Sequence, residues 1–138
     1  MTPAVFADSA FWIARLSRLD YLHEQAKRLA TQSRNRRIVT SQMVLVEVLN
    51  NFSANGSHLR SNASRLVDDL KFAPSVEIVK QTPELFERAT ALYAARADKA
   101  WSLADCASFV IMTDMGIGEA LTHDLHFEQA GFVAMIRG

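Results

Sequence analysis

Short runs rich in Val, Ile and Ala alternate along this chain with longer segments of helical period. A strand that passes through a helix into the next strand needs a crossover connection, so the pattern predicts an α/β fold with a mainly parallel sheet. The strand segments are Val5–Ala7, Ile38–Thr40, Val76–Val79, Ala120–Thr122 and Val133–Ile136, all of them brief. Leu22, Ala26 and Leu29 recur at helical spacing between the first two, and Phe11-Trp12-Ile13 opens the same helical region or a separate short helix. Thr40 or Ser41 caps the next helix, whose stripe of Val44, Leu45, Val48, Leu49 and Phe52 precedes an Asn55-Gly56 stop. A further helix covers about 59–72. Thr82-Pro83-Glu84 supplies a cap, a first-turn proline and a first-turn acid, with Leu85, Phe86, Ala89, Leu92 and Tyr93 following on one face. Ser102 begins another helix that runs through Cys106, Phe109 and Val110 to a stop at Gly116.

No repeat, low-complexity tract or linker divides the chain. Its 138 residues suit one domain, 1–138, able to bury roughly 68–70% of the unfolded surface. Fifteen basic residues balance fifteen acidic ones. That balance argues against a surface built to coat a polyanion, while a local basic rim stays compatible with it. Cys106 is the sole cysteine, which excludes an intrachain disulfide and a thiolate-rich zinc site and fits a reducing compartment. The segment Met1–Ala7 lacks the basic start and long apolar stretch of a signal peptide, and the apolar run 109–112 is far below membrane-spanning length. A cytoplasmic protein is expected.

Four acids carry the chemistry. Asp8 directly follows the first strand segment and Asp124 the fourth, which in a parallel sheet places both at carboxyl ends of strands, where ligand sites of open α/β sheets form. Asp105 lies in the first turn of a helix entering from that edge, and Glu47 comes about two turns into the helix after the second strand. Carboxylates gathered within a few ångströms repel and take up protons unless a cation neutralises them. An oxygen-only set suits a hard ion, Mg²⁺ or Mn²⁺, and phosphoryl chemistry with one or two ions.

The segments Val5–Phe11, Val44–Leu49, Asp98–Ser108 and Leu121–Phe127 with Ala130-Gly131-Phe132 resemble, in order and spacing, the successive blocks of a PIN domain, in particular its prokaryotic VapC-like group. The resemblance spans nearly the whole chain. It implies a PIN-like three-layer α/β/α architecture with a central sheet of about five strands, and an Mg²⁺- or Mn²⁺-dependent ribonuclease. It further implies the toxin of a type II toxin–antitoxin system, with RNA as substrate and an antitoxin protein as partner. On this resemblance Asp8, Glu47, Asp105 and Asp124 are the metal-binding and catalytic residues. Ser9 and Thr122 match hydroxyls that orient carboxylates, and Asp98 matches an acid that either supports the metal site or pairs with Lys99 or a nearby Arg.

Each residue also has a plainer role open to it. Asp105 with Ser102 forms a capping-box variant, Asp8 and Asp124 suit turns, and Glu47 suits a solvated helix face. His123 and His126 flank Asp124 and invite zinc, but no third histidine or cysteine lies nearby. Cys106 reads as a packed thiol, and Trp12 and Trp101 as core or partner-packing residues before base-stacking ones. Arg34, Arg36, Arg37 and Lys99 are candidates for RNA contact, with Arg60, Arg65 and Arg96 behind them. Leu59, Phe72 or Trp12 suit a surface for an inhibitory partner or a second copy in a homodimer. Two other function classes remain. A metal-dependent phosphatase is disfavoured by Ala10, where a second acid is wanted. A noncatalytic PIN-like RNA-binding or scaffold protein is disfavoured by the complete acid set, and an RNA-processing nuclease without an antitoxin stays open.

Overall fold

The structure, a computed structural model, describes residues 3–137; Met1, Thr2 and Gly138, the ends of the segments considered above, lie outside them. Val5, Phe6 and Ala7 form strand β1 (Val5–Ala7) and are completely buried, as expected for a strand with neighbours on both edges and helices above and below. The remaining elements follow in the order α1 (Ser9–Leu16), α2 (His23–Gln32), β2 (Ile38–Ser41), α3 (Gln42–Asn51), α4 (Ser57–Phe72) and β3 (Val76–Val79). After them come α5 (Pro83–Ala95), α6 (Leu103–Met115), β4 (Glu119–Leu121), α7 (Leu125–Gln129) and β5 (Val133–Ala134). The five strands form one sheet in the order β3-β2-β1-β4-β5, and every neighbouring pair is parallel.

That order decides where a site can form. The chain lays β1, β2 and β3 outward on one side, then returns to place β4 and β5 on the other side of β1. The reversal opens a crevice between the carboxyl ends of β1 and β4, the two strands followed by Asp8 and Asp124. Right-handed crossovers set the helices of the outward run on one face of the sheet and those of the return on the other. Accordingly α1 packs against α2 and α3, and α5 against α6, while α3 and α6 also meet and so link the two groups.

Long-range bonds then hold the strand ends in register. The Trp12 indole Nε1 donates to the Thr40 hydroxyl (3.3 Å), which in turn donates to the Ala7 carbonyl (2.8 Å), so α1 and β2 clamp the backbone just before Asp8. Phe109 on α6 meets Trp101 and Phe127 edge-to-face at 4.9 and 5.0 Å between ring centroids, seating α6 against α7. Such pairs add about 0.5–1.5 kcal/mol each beyond area burial.

Several boundaries and faces differ from the sequence expectations. Phe11-Trp12-Ile13 belongs to a separate helix, α1, distinct from α2. Helix α3 ends at Asn51, and Gly56, with φ of 91°, is the N-cap of α4 rather than the stop of α3. Strand β4 starts one residue earlier than expected and β5 stops at Ala134. On α5, Leu85 and Ala89 are buried but Phe86 and Tyr93 are exposed. Adjacent helical residues point about 100° apart, so the i, i+4, i+7 row of Leu85, Ala89 and Leu92 faces the core and its neighbours turn outward. Trp12 and Trp101 are both buried, which removes Trp12 from any docking surface, whereas Phe72 is exposed.

Candidate active site

Asp8 sits at the carboxyl end of β1, only 6% exposed, and accepts a hydrogen bond on Oδ2 from the Thr122 hydroxyl at 3.0 Å. The same hydroxyl accepts from the Asp124 backbone N–H at 3.1 Å. One threonine therefore ties together the ends of β1 and β4, the two strands bordering the crevice. Asp124 N-caps α7, its Oδ1 accepting from the His126 N–H at 2.9 Å. Asp105 does close the capping box with Ser102, at 3.0 Å in each direction. The cap does not exhaust its carboxylate: the His126 Nδ1–H also donates to Oδ2, at 2.8 Å, leaving Oδ1 without a hydrogen bond among the described residues. His126 Nδ1 lies 3.5 Å from Asp124 Oδ1 as well. Asp105, Asp124 and His126 each offer a ligand atom within 4.8 Å of the others, a grouping able to hold a metal ion.

The acids feel one another. The Asp8 carboxyl is pushed from 3.8 up to about 7, first by burial and then by the negative charges of Glu47 and Asp105, against the opposing pull of the Ser9 backbone and the Thr122 hydroxyl. Glu47, half-buried in the second turn of α3, is raised by burial and by Asp105 and Asp124, and is held back by the Ser9 side chain. Acids from four separate segments thus share one electrostatic environment. A folded chain gains nothing from this crowding unless a cation relieves it. The chemistry of the set fits a hard divalent ion: Asp105 and Asp124 offer carboxylate oxygens within 4.8 Å of each other, Asp8 and Glu47 lie near enough to feel their charge, and the His126 Nδ1 is engaged in orienting Asp105.

The structure brings Asp8, Glu47, Asp105 and Asp124 together, with Ser9 and Thr122 touching them. Asp98 is engaged elsewhere: Arg96 binds both its oxygens at 3.0 Å and Lys99 lies 4.0 Å away. Arg96 foremost holds that carboxyl below its usual range, the pairing named above as its other role. The basic cluster, expected to contact RNA, lies away from the acids. Arg34, Arg36 and Arg37 precede β2 and so sit at the amino edge of the parallel sheet, opposite the carboxyl ends that carry Asp8 and Asp124. Arg36 there donates to the Pro3 carbonyl and to Glu119 at 2.8 Å each, and Arg37 pairs with Glu77. Cys106 is a fully buried thiol whose pKa is raised by burial. In sequence, His126 stands only as half of a zinc-like pair with His123 that lacks a third ligand. Its position two residues after Asp124 was the available signal, but its contact with Asp105 comes from α7 folding back toward α6.

Residues 5–133 match the PIN domain family. The chain belongs to the PIN domain family. Among PIN proteins it is similar to the 23S rRNA-specific endonuclease VapC20 of Mycobacterium tuberculosis, in strains CDC 1551 / Oshkosh and H37Rv, with 30% identity over 129 residues, 94% of this chain and 95% of the relative. The crystal structure of M. tuberculosis VapC20, a sarcin–ricin loop cleaving toxin, superposes with a TM-score of 0.85 at 28% identity, covering 96% of this chain and 99% of that one. FitAcB from Neisseria gonorrhoeae shares the PIN fold, with a TM-score of 0.64 at 14% identity over 94% of each chain. The five-stranded parallel sheet flanked by helices is thus the PIN architecture. Among the described residues, no helix is long and apolar enough to cross a membrane.

Proposed function

We propose that this PIN domain protein is a divalent-metal-dependent endoribonuclease that hydrolyses RNA phosphodiester bonds with Mg²⁺ or Mn²⁺. The observation that carries this reading is the acid cluster at the β1/β4 crevice, where burial and mutual repulsion raise Asp8 to about 7. Asp8, Glu47, Asp105 and Asp124 hold the ion. When bound, it supplies charge neutralisation at the phosphate and acidification of water. The chain's own contribution is placement. Thr122 holds Asp8 and Asp124 at a fixed separation, His126 keeps the Asp105 carboxylate turned, and Ser9 does the same for Glu47.

RNA as substrate rests on PIN membership and on the likeness to VapC20, a 23S rRNA-specific endonuclease. A ribosomal RNA hairpin of the sarcin–ricin type is accordingly the first substrate to try. The same likeness supports a toxin, and the reading is completed by action in the cytoplasm under restraint by a cognate antitoxin protein, which the likeness itself does not supply.

Chelation tests the reading directly. EDTA is expected to reduce cleavage of the hairpin to background, and excess Mg²⁺ or Mn²⁺ to restore it; cutting that persists in EDTA would overturn it. Thr122→Val is expected to lower cleavage by about 10- to 100-fold, the usual cost of removing a group that orients a metal ligand, while Thr122→Ser retains most of it. Single-turnover rates on the three proteins measure this, and equal rates for Val and Ser would deny the hydroxyl its orienting role.

A further inference from the structure

One side of the acid cluster opens into a cleft of about 460 Å³, lined among others by Asp8, Ser9, Ile13, Tyr21, His123 and Asp124. That volume lies within the range of small-ligand pockets, about 300–1,000 Å³. Among the described residues, no Lys or Arg lines the cleft. A nucleic acid brought to these acids therefore gains no phosphate neutralisation from side chains here, and attraction beyond that of the bound ion must come from uncharged contacts.

Two aromatic rings are placed to supply it. Tyr21 is 77% exposed and meets the exposed His123 ring edge-to-face, with centroids 6.2 Å apart and an interplanar angle of 83°. Neither ring belongs to the core. The connection that carries Tyr21, between α1 and α2, is nevertheless pinned. The Asp20 side chain accepts from the Leu22 N–H at 2.8 Å, the His23 N–H donates to the Asp20 carbonyl at 3.0 Å, and Leu22 is buried. His123 stands between Thr122 and Asp124, so the bonds that position the acids also position the ring. An exposed aromatic on a fixed turn loses little freedom on binding, and unpaired bases are held chiefly by stacking on such rings.

We infer that Tyr21, backed by His123, is a stacking platform for one unpaired nucleobase of the RNA beside the scissile phosphate. The inference rests on the ribonuclease reading and names the subsite that reading leaves undefined. Tyr21 is a substrate-positioning residue on this account, and Asp20 and Leu22 hold its turn in place.

Binding of a fluorescently labelled hairpin RNA of the sarcin–ricin type, measured by anisotropy in the Asp8→Asn background with Mg²⁺ present, tests it. Adding Tyr21→Ala is expected to weaken binding by roughly 5- to 150-fold, the span produced by loss of one base stack, while Tyr21→Phe stays within about twofold of the parent. Replacing single nucleotides of the hairpin by abasic ones should weaken binding at one position, and Tyr21→Ala should erase that position's effect and no other. Unchanged affinity in Tyr21→Ala, or absence of hairpin binding altogether, overturns the subsite; the first result would leave the ring to a protein partner. Failure of the nuclease reading is seen separately, as wild-type protein that leaves the hairpin uncut in Mg²⁺ and in Mn²⁺.

Discussion

Asp8→Asn and Asp105→Asn are each expected to lower RNA cleavage by at least about 10³-fold, because a divalent site contributes several kilocalories per mole of transition-state stabilisation and each 1.36 kcal/mol is tenfold in rate. Asparagine nearly preserves shape. At position 8 its carbonyl can still accept the Thr122 hydroxyl, and at position 105 one amide oxygen can still accept both the Ser102 N–H and the His126 ring N–H, which share Oδ2 in the wild type. What disappears is one negative oxygen from a cluster whose members already raise one another's pKa. Loss of activity in a variant with a wild-type circular dichroism spectrum would therefore report on the ion site. Asp105→Asn should in addition soften the start of α6 by removing the negative charge from its first turn, a cost of about 0.3–1 kcal/mol. Single-turnover cleavage at saturating Mg²⁺ is the measurement, and full activity in either variant would remove that residue from the chemistry.

The metal-free protein should lose stability as pH rises, by an amount on the order of 4 kcal/mol between about pH 4 and pH 7. In the folded state Asp8 titrates near 7, whereas the unfolded chain titrates near 3.8. Within that window the folded state keeps a proton that the unfolded state has released, so stability is full below 3.8 and is lost as pH climbs through about 7. About three pH units at about 1.36 kcal/mol each set the size, a large share of the 5–15 kcal/mol typical of a domain. Glu47, raised from the same causes, acts in the same direction.

Asp8→Asn removes the group. In EDTA, urea melts of wild type and Asp8→Asn should give similar stabilities below about pH 3.8, with the variant clearly more stable at pH 8. Added Mg²⁺ or Mn²⁺ should narrow the gap by stabilising the wild type. Parallel pH profiles for the two proteins would show that Asp8 does not carry the strain assigned to it. A variant that gains stability as it loses function is the expected mark of an active site held together against its own charge.

Much of this molecule was legible before its fold was known, and the reasons are local. Five strand segments and the main helices follow from residue periodicity, and the Thr82 and Ser102 caps from side chains that accept backbone N–H groups within three residues of themselves. The placement of Asp8 and Asp124 at carboxyl strand ends needed only the inference that the strands run parallel. Periodicity misleads where one residue's offset decides the outcome. Phe86 and Tyr93 flank the core row of α5 instead of joining it, and Gly56 opens α4 instead of closing α3.

What the chain alone determined, then, is an alternating α/β fold with a set of acids at strand ends, because hydrophobic period, caps and turn residues act over one to four neighbours. Only the tertiary structure decided that β4 lies beside β1, and with it that Thr122 bridges two acids and that His126 turns toward Asp105. It also decided that Tyr21 stands beside His123, and that Arg34, Arg36 and Arg37 occupy the far edge of the sheet. Those juxtapositions join residues as many as 114 positions apart. They follow from how crossovers and core packing order the strands, which no local propensity records.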